Sequence, residues 1–188
     1  MVNFALSVVA VLSVLAPIVK AAPAATQVGD AVEVFSFVKW VDGIIANPNG
    51  DNLTPEEAVQ AWRKSINATQ SVVASTVDSH LQKRVSCNTI AGTEAYVPDA
   101  VTCINYLASL GGQACVVSEA RSIFCTAGNA QISGVRGISI PVSSSCNDVA
   151  RGAGYVMDAC TRADNLVQGS EFAYGNGNLL VWIRAPYP

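Results

Sequence analysis

All six cysteines of this 188-residue chain lie between positions 87 and 160, at Cys87, Cys103, Cys115, Cys125, Cys146 and Cys160. No other feature constrains the fold as strongly. A domain of roughly a hundred residues buries only ~60–70% of the surface its unfolded chain exposes. Cross-links that restrict the unfolded chain then matter, at roughly 2–4 kcal/mol each. An even number of cysteines at this density predicts a framework of three disulfides formed in an oxidising compartment. A metal site is not expected, because no Cys-x-x-Cys pair occurs and no histidine follows His80. Spacing alone favours one pairing, Cys115 with Cys125, which sit equidistant from Ala120 across an expected hairpin. Cys103 and Cys160 each fall on the inner stripe of an expected helix, from which each can reach a sheet or the other helix.

The cysteine-rich part begins at a seam, Lys83-Arg84-Val85-Ser86-Cys87. All four lysines, His80 and two of the three tryptophans lie before it or within its dibasic pair. Two cations at a helix C-terminus also suit the helix dipole. Their place between a cysteine-free and a cysteine-dense segment, however, predicts a dibasic cleavage site of the kind used by kexin-type proteases. The expected organisation is a signal peptide at 1–21, a helical pro-segment at 22–84 and a six-cysteine mature domain at 85–188. The leader is the short apolar run at 4–19, which ends at Pro17 and Lys20 and is followed by small residues, with cleavage after Ala21 or Ala24.

The pro-segment reads as a helical hairpin. Val28, Ala31, Val32, Phe35, Val38, Val41, Ile44 and Ile45 follow helical period over residues 28–46, and Asn47-Pro48-Asn49-Gly50 breaks the run. Thr54-Pro55-Glu56-Glu57 opens the next helix with a capping box and a proline suited to the first position. Its stripe is Ala58, Val59, Trp62, Ile66, Val73, Val77 and Leu81. Asn67-Ala68-Thr69 is the better glycosylation acceptor, with Asn67 as its site. Asn52-Leu53-Thr54 is the poorer one, because Thr54 is wanted as a cap.

The mature domain alternates elements in the order helix, strands, helix, hairpin. A helix opens at Val97-Pro98-Asp99, carries Ala100, Cys103, Ile104 and Leu107, and ends at Gly111-Gly112. Residues 114–117 and 122–126 read as strands around a turn at 119–121. Residues 130–133 and 138–142 read as further short strands. Residues 143–145 open a second helix, capped by Ser145 and Asp148, with Val149, Ala153, Val156, Met157 and Cys160 inside. Residues 171–174 and 178–183 form a closing hairpin about Gly175-Asn176-Gly177. The predicted fold is α+β: two helices packed on a small antiparallel sheet, as a disulfide-bonded α/β sandwich, preceded by the hairpin.

Composition narrows function. The net charge is −3 and basic residues are not clustered beyond Arg63-Lys64 and Lys83-Arg84, which argues against a nucleic-acid partner. A mature domain without histidine or lysine cannot run Ser-His-Asp, Cys-His or Schiff-base chemistry. Carboxylates remain: Glu94, Asp99, Glu119, Asp148, Asp158, Asp164 and Glu171. Asp99 and Asp148 suit helix starts, and Asp158, Asp164 and Arg162 suit the solvated end of a helix. Gly152-Ala153-Gly154 reads as close packing inside a helix rather than a phosphate loop. Trp182 shares a strand face with Leu180, and core packing is the plainer role for it. No catalytic residue and no cofactor is expected.

Several features together resemble the small secreted fungal effectors of the killer-toxin-like α/β-sandwich kind. These are Val101-Thr102-Cys103-Ile104, Phe124-Cys125-Thr126-Ala127-Gly128, Cys146-Asn147-Asp148-Val149-Ala150 and the closing hairpin at Asn176-Gly177. The resemblance is to the necrosis-inducing effector family and the smut-virus killer toxins, covers about residues 87–184, and rests on order and spacing. It implies a secreted, non-catalytic protein acting on host or competitor cells through a protein, membrane or carbohydrate target. The alternatives are a small carboxylate-dependent cell-wall hydrolase and an uncleaved structural surface protein.

Overall fold

A computed structural model describes residues 34–70 and 85–186. The expected signal peptide, Val73, Val77, His80, Leu81 and the Lys83-Arg84 pair lie outside them. All the described residues fall within one compact unit.

The hairpin consists of α1 (Phe37–Ala46) and α2 (Pro55–Gln70). Of the helix expected over 28–46, Val28, Ala31 and Val32 lie outside the described residues, residues 34–36 are not helical, and α1 starts at Phe37. Ser36 caps it, its hydroxyl accepting from Lys39 N at 3.3 Å. This late start changes the buried face. Phe37, Trp40, Val41 and Ile44 are buried, whereas Phe35, Val38 and Ile45 are only half-buried. The second helix opens as expected. Thr54 N donates to Glu57 Oε2 at 2.8 Å and Glu57 N donates to Thr54 Oγ1 at 3.3 Å, a complete capping box. Trp40 Nε1 donates to Leu53 O at 2.9 Å, which ties the inter-helix loop to α1. Asn67 is exposed on α2.

The remainder is α+β. Strands β1 (Ser86–Cys87) and β2 (Ala95–Tyr96) precede α3 (Val97–Ser109). Then come β3 (Ala114–Val117), β4 (Arg121–Ala127), β5 (Ala130–Arg136) and β6 (Val142–Ser145). Helix α4 (Cys146–Cys160), β7 (Leu166–Val167), β8 (Gly169–Ala173) and β9 (Asn176–Arg184) complete the chain. The main sheet has the order β1-β8-β9-β5-β4 with every neighbour antiparallel. Helices α3 and α4 pack on one face of it, and α1 and α2 pack on the far side of those helices. The layers are therefore hairpin, helix pair, sheet.

The helix ends obey local rules. Gly111 takes φ +63° directly after α3, the left-handed stop expected of glycine. Pro98 is the second residue of α3 rather than the first. Ser145 caps α4: its hydroxyl accepts from Asp148 N at 3.1 Å and donates to Asp148 Oδ2 at 2.6 Å. The expected stripe of α4, Val149, Ala153, Val156, Met157 and Cys160, is buried throughout.

Several strand readings need correction. β3 does not pair with β4; it pairs with β6, matching Val117 with Val142 and Ala114 with Ser145. Residues 143–145 are thus strand before they are helix entry. Only Val142 of the expected 138–142 strand is extended in a ladder. The closing hairpin forms, but its turn is Tyr174-Gly175, with the positive φ on Gly175 and Asn176 already paired to Ala173. Asn176 instead donates from its side chain to Ser143 O at 2.9 Å. The two-residue strands β1, β2 and β7 are too short to carry a periodic signal.

These pairings settle the disulfides as Cys87–Cys160, Cys103–Cys125 and Cys115–Cys146. The expected Cys115–Cys125 bond is wrong, because it assumed that β3 and β4 form a hairpin. In the ribbon that forms instead, Cys115 lies opposite Ser144 and close to the first residue of α4. Cys125 sits opposite Ile132 and reaches α3. Cys103 and Cys160 do each reach a strand from the inner face of a helix.

Candidate functional site

The expected carboxylates disperse over the domain. Glu94 pairs with Arg162 at 3.5 Å, and Arg162 also pairs with Asp164 at the exposed end of α4. This agrees with a solvated helix end, and the Arg162 guanidinium holds the Asp164 carboxyl below its usual range. Asp99, in the first turn of α3, accepts from Asn129 N at 2.7 Å and so fastens the β4–β5 turn. Glu119 is exposed in the β3–β4 connection. Glu171 is buried on β8, where its Oε1 accepts from Phe172 N at 2.7 Å. Trp182 and Leu180 share a strand face, as expected, but it is the face away from the helices; Leu179, Val181 and Ile183 fill the helix side and are fully buried. The Trp182 indole nitrogen is buried without a hydrogen-bond partner, as are Ser133 Oγ and Gln131 Oε1 on the neighbouring strand. Among the described residues no group of three or more His, Cys, Asp or Glu could hold a metal ion.

One carboxylate does far more than sequence reasoning assigned to it. Asp158, near the end of α4, accepts three hydrogen bonds from the start of α1. Phe37 N donates to Oδ1 at 2.6 Å, Val38 N to Oδ2 at 3.2 Å and Ser36 Oγ to Oδ2 at 2.7 Å. The first N–H groups of a helix lack intrahelical acceptors and carry its positive end, so an anion belongs there. Here the anion comes from another helix more than a hundred residues away in sequence. The residue as a whole is exposed, while the carboxylate itself is crowded by the α1 start. That crowding pushes its pKa up, outweighing the hydrogen bonds and the Lys39 charge that act to lower it.

The sign of the resulting pH effect is fixed. A carboxyl group with a raised folded-state pKa holds its proton more tightly in the folded state. Its stabilising contribution is complete below the ordinary aspartate range and fades as pH rises through the raised value. The stability difference between the full chain and its Asp158→Asn variant is therefore expected to favour aspartate increasingly as pH falls from about 7 towards about 3. Denaturant midpoints of both proteins across that range measure it. A difference that is flat, or that grows with pH, would show that crowding does not control this carboxyl.

Two further residues of α4 complete the contact. A Cβ on Gly154 would lie 2.9 Å from Val38 Cα, so the two backbones approach as only glycine allows. Arg151 Nε donates to Asp42 Oδ1 at 2.7 Å and Nη1 to Asp148 Oδ1 at 3.0 Å. The guanidinium also lies 5.3 Å from the Tyr174 ring centre. Beyond α4, Arg63 Nε on α2 donates to Asn165 Oδ1 at 3.0 Å. The apolar partners on the hairpin are Phe37, Trp40, Val41, Ile44, Ala58, Val59 and Trp62, all buried.

Gly152 and Gly154 both serve close packing, as their place in a helix suggested, but against different partners. A Cβ on Gly152 would meet Phe172 O of the sheet at 2.8 Å. In the full chain, Gly152→Ala and Gly154→Ala are each expected to cost about 1–3 kcal/mol by overpacking against backbone. With the hairpin removed the two should separate. Gly154→Ala then gains the ~1 kcal/mol that alanine has over glycine in a helix, while Gly152→Ala remains destabilising. Denaturant midpoints of both variants, with and without the hairpin, test this. An equal response from both glycines would rule out the assignment.

Sequence reasoning missed this site because its members are ordinary singly: an arginine, a glycine and an aspartate on one helix. The available signal was excess apolar width. Besides the expected stripe, Val97, Val101 and Ala108 of α3 and Ala150 of α4 are buried. Helices buried over so wide an arc have neighbours on two sides.

Residues 82–185, more than half of the chain, match the family described as a domain of unknown function, DUF8794. No curated protein and no solved structure matches the chain.

Proposed function

We propose that this chain, which belongs to the DUF8794 family, is the precursor of a secreted, non-catalytic binding protein of the effector or toxin kind. Its site of action is a protein, membrane or carbohydrate on host or competitor cells, in line with the resemblance to killer-toxin-like and necrosis-inducing fungal effectors. A kexin-type protease cuts after Lys83-Arg84, and Val85 becomes the new N-terminus.

One observation carries this reading. All three disulfides lie inside 87–160, so none ties the hairpin to the six-cysteine domain. A single cut at the dibasic pair then leaves α1 and α2 attached by non-covalent contacts alone. The family match supports the same boundary, since it starts at Gln82, one residue before Lys83. Three disulfides suit an extracellular protein, and no helix among the described residues is long and apolar enough to cross a membrane.

The test is the intact mass of the secreted protein, reduced and non-reduced. The expected product starts at Val85 and is lighter, before reduction, by the six hydrogens of three disulfides. A secreted chain starting near Ala22 and uncut at Arg84 would overturn the processing step and favour a structural surface protein. Hydrolysis of wall polysaccharide that falls on Glu119→Gln or Glu171→Gln would overturn the non-catalytic reading.

A further inference from the structure

Arg151, Gly154 and Asp158 stand three and four residues apart, so they form one row along α4, about 10 Å long at 1.5 Å per residue. Their partners on α1 run in the opposite order. Asp158 holds Ser36, Phe37 and Val38, Gly154 receives the Val38 backbone, and Arg151 holds Asp42. The two helices are therefore antiparallel. The row consists of an acceptor for a helix N-terminus, a notch for close backbone approach and a cation for a carboxylate further along.

We propose that this row is a recognition site for an amphipathic helix of a target protein, and that α1 occupies it only until the hairpin is released. The proposal rests on the processed-precursor reading above and deepens it by naming the surface and the partner's chemistry. The partner helix must present its free N-terminal turn, headed by a hydroxyl side chain, to Asp158. It carries apolar side chains at its first, fourth, fifth and eighth positions, as α1 does with Phe37, Trp40, Val41 and Ile44. It carries a carboxylate at its sixth position for Arg151, as α1 does with Asp42. This is helix-in-groove recognition with polar ends that fix direction and register.

A lipid surface fits the same face poorly. It offers no pair of adjacent backbone N–H groups of the kind Phe37 and Val38 present to the Asp158 carboxylate. Residues 85–188 also hold seven Asp and Glu against five Arg, the wrong sign for anionic headgroups.

The experiment starts from the full-length secreted chain, opened after Arg84 by a kexin-type protease. If that protease does not cut, the Lys83-Arg84 pair is replaced by another protease's site and the chain is opened there. That outcome counts against the processing reading and leaves the helix site testable. A fluorescent synthetic peptide of residues 34–70 is then added and its anisotropy followed. The expected result is entry into the opened chain, with release of the resident hairpin, and no entry into the uncut chain. Asp158→Ala and Gly154→Leu should each weaken peptide binding about tenfold or more. Asp164→Asn, off the row, should leave it unchanged. Arg151→Asp should weaken the natural peptide, and a peptide carrying Asp42→Arg should restore binding to that variant, which a merely misfolded protein could not do. The proposal is overturned if the hairpin never exchanges, if the peptide binds all variants equally, if the charge swap fails to restore binding, or if the opened chain instead takes up phosphatidylserine vesicles while ignoring the peptide.

Discussion

Replacing Cys87 and Cys160 together by serine is expected to destabilise the six-cysteine domain more than removing either other disulfide. The bond closes a loop of 73 residues, against 31 for Cys115–Cys146 and 22 for Cys103–Cys125. Loop-closure entropy in the unfolded chain then assigns about 4.4, 3.7 and 3.4 kcal/mol to the three, in that order. The native state adds to the first. Cys87 ends the two-residue edge strand β1, which contributes only Ser86↔Ser170 and Cys87↔Gly169 to the sheet. Without the covalent tie so short a strand would fray, and α4 would lose its anchor at Cys160. The strand also lies directly after the proposed cut, so in the processed protein this disulfide is what holds the new N-terminus. Denaturant midpoints of the three double-serine variants give the order. If the Cys103–Cys125 variant proves weakest, native packing between α3 and β4 outweighs chain entropy.

The features legible in the sequence were those that local rules write into adjacent residues. The capping box at Thr54 and Glu57, the glycine stop at Gly111, the cap at Ser145 and the inner stripe of α4 all depend on neighbours within a turn or two. They suffice for the α+β class and for two helices on a sheet. Features that depend on long-range pairing were not legible. Nothing near Cys115 says that its strand will pair with residues 142–145 rather than with β4, and the disulfide assignment failed with that choice. The phase of α1 was lost for a related reason. Ser36 receives its tertiary partner from Asp158, and the helix start at Phe37 places a different set of apolar side chains inward. The candidate site is the extreme case. Its parts lie at 36–42 and 151–158, and only the folded chain brings them together.

The second large effect concerns Phe37. The side chain is fully buried, edge-on to Phe35 at 5.1 Å and tilted against Trp62 at 6.2 Å between ring centres. Its own N–H is the shortest donor to Asp158. Phe37→Ala keeps that donor but leaves a cavity where α1, α2 and the helix pair meet, at an expected cost of about 3–5 kcal/mol. The cost should fall on the hairpin rather than on the whole molecule. Helix α1 has only 10 residues, too few to persist alone in water, and no disulfide holds it. The six-cysteine domain keeps its own cross-links and its sheet. Amide exchange should therefore lose protection through α1 and α2 while α3, α4 and β9 stay protected. A variant that instead loses protection everywhere in one transition would show that the hairpin is part of a single indivisible core, and a detachable pro-segment would then be untenable. The site proposed on Arg151, Gly154 and Asp158 requires the opposite: an occupant whose contacts are strong enough to hold it in the precursor, yet separable from the contacts that keep the domain folded.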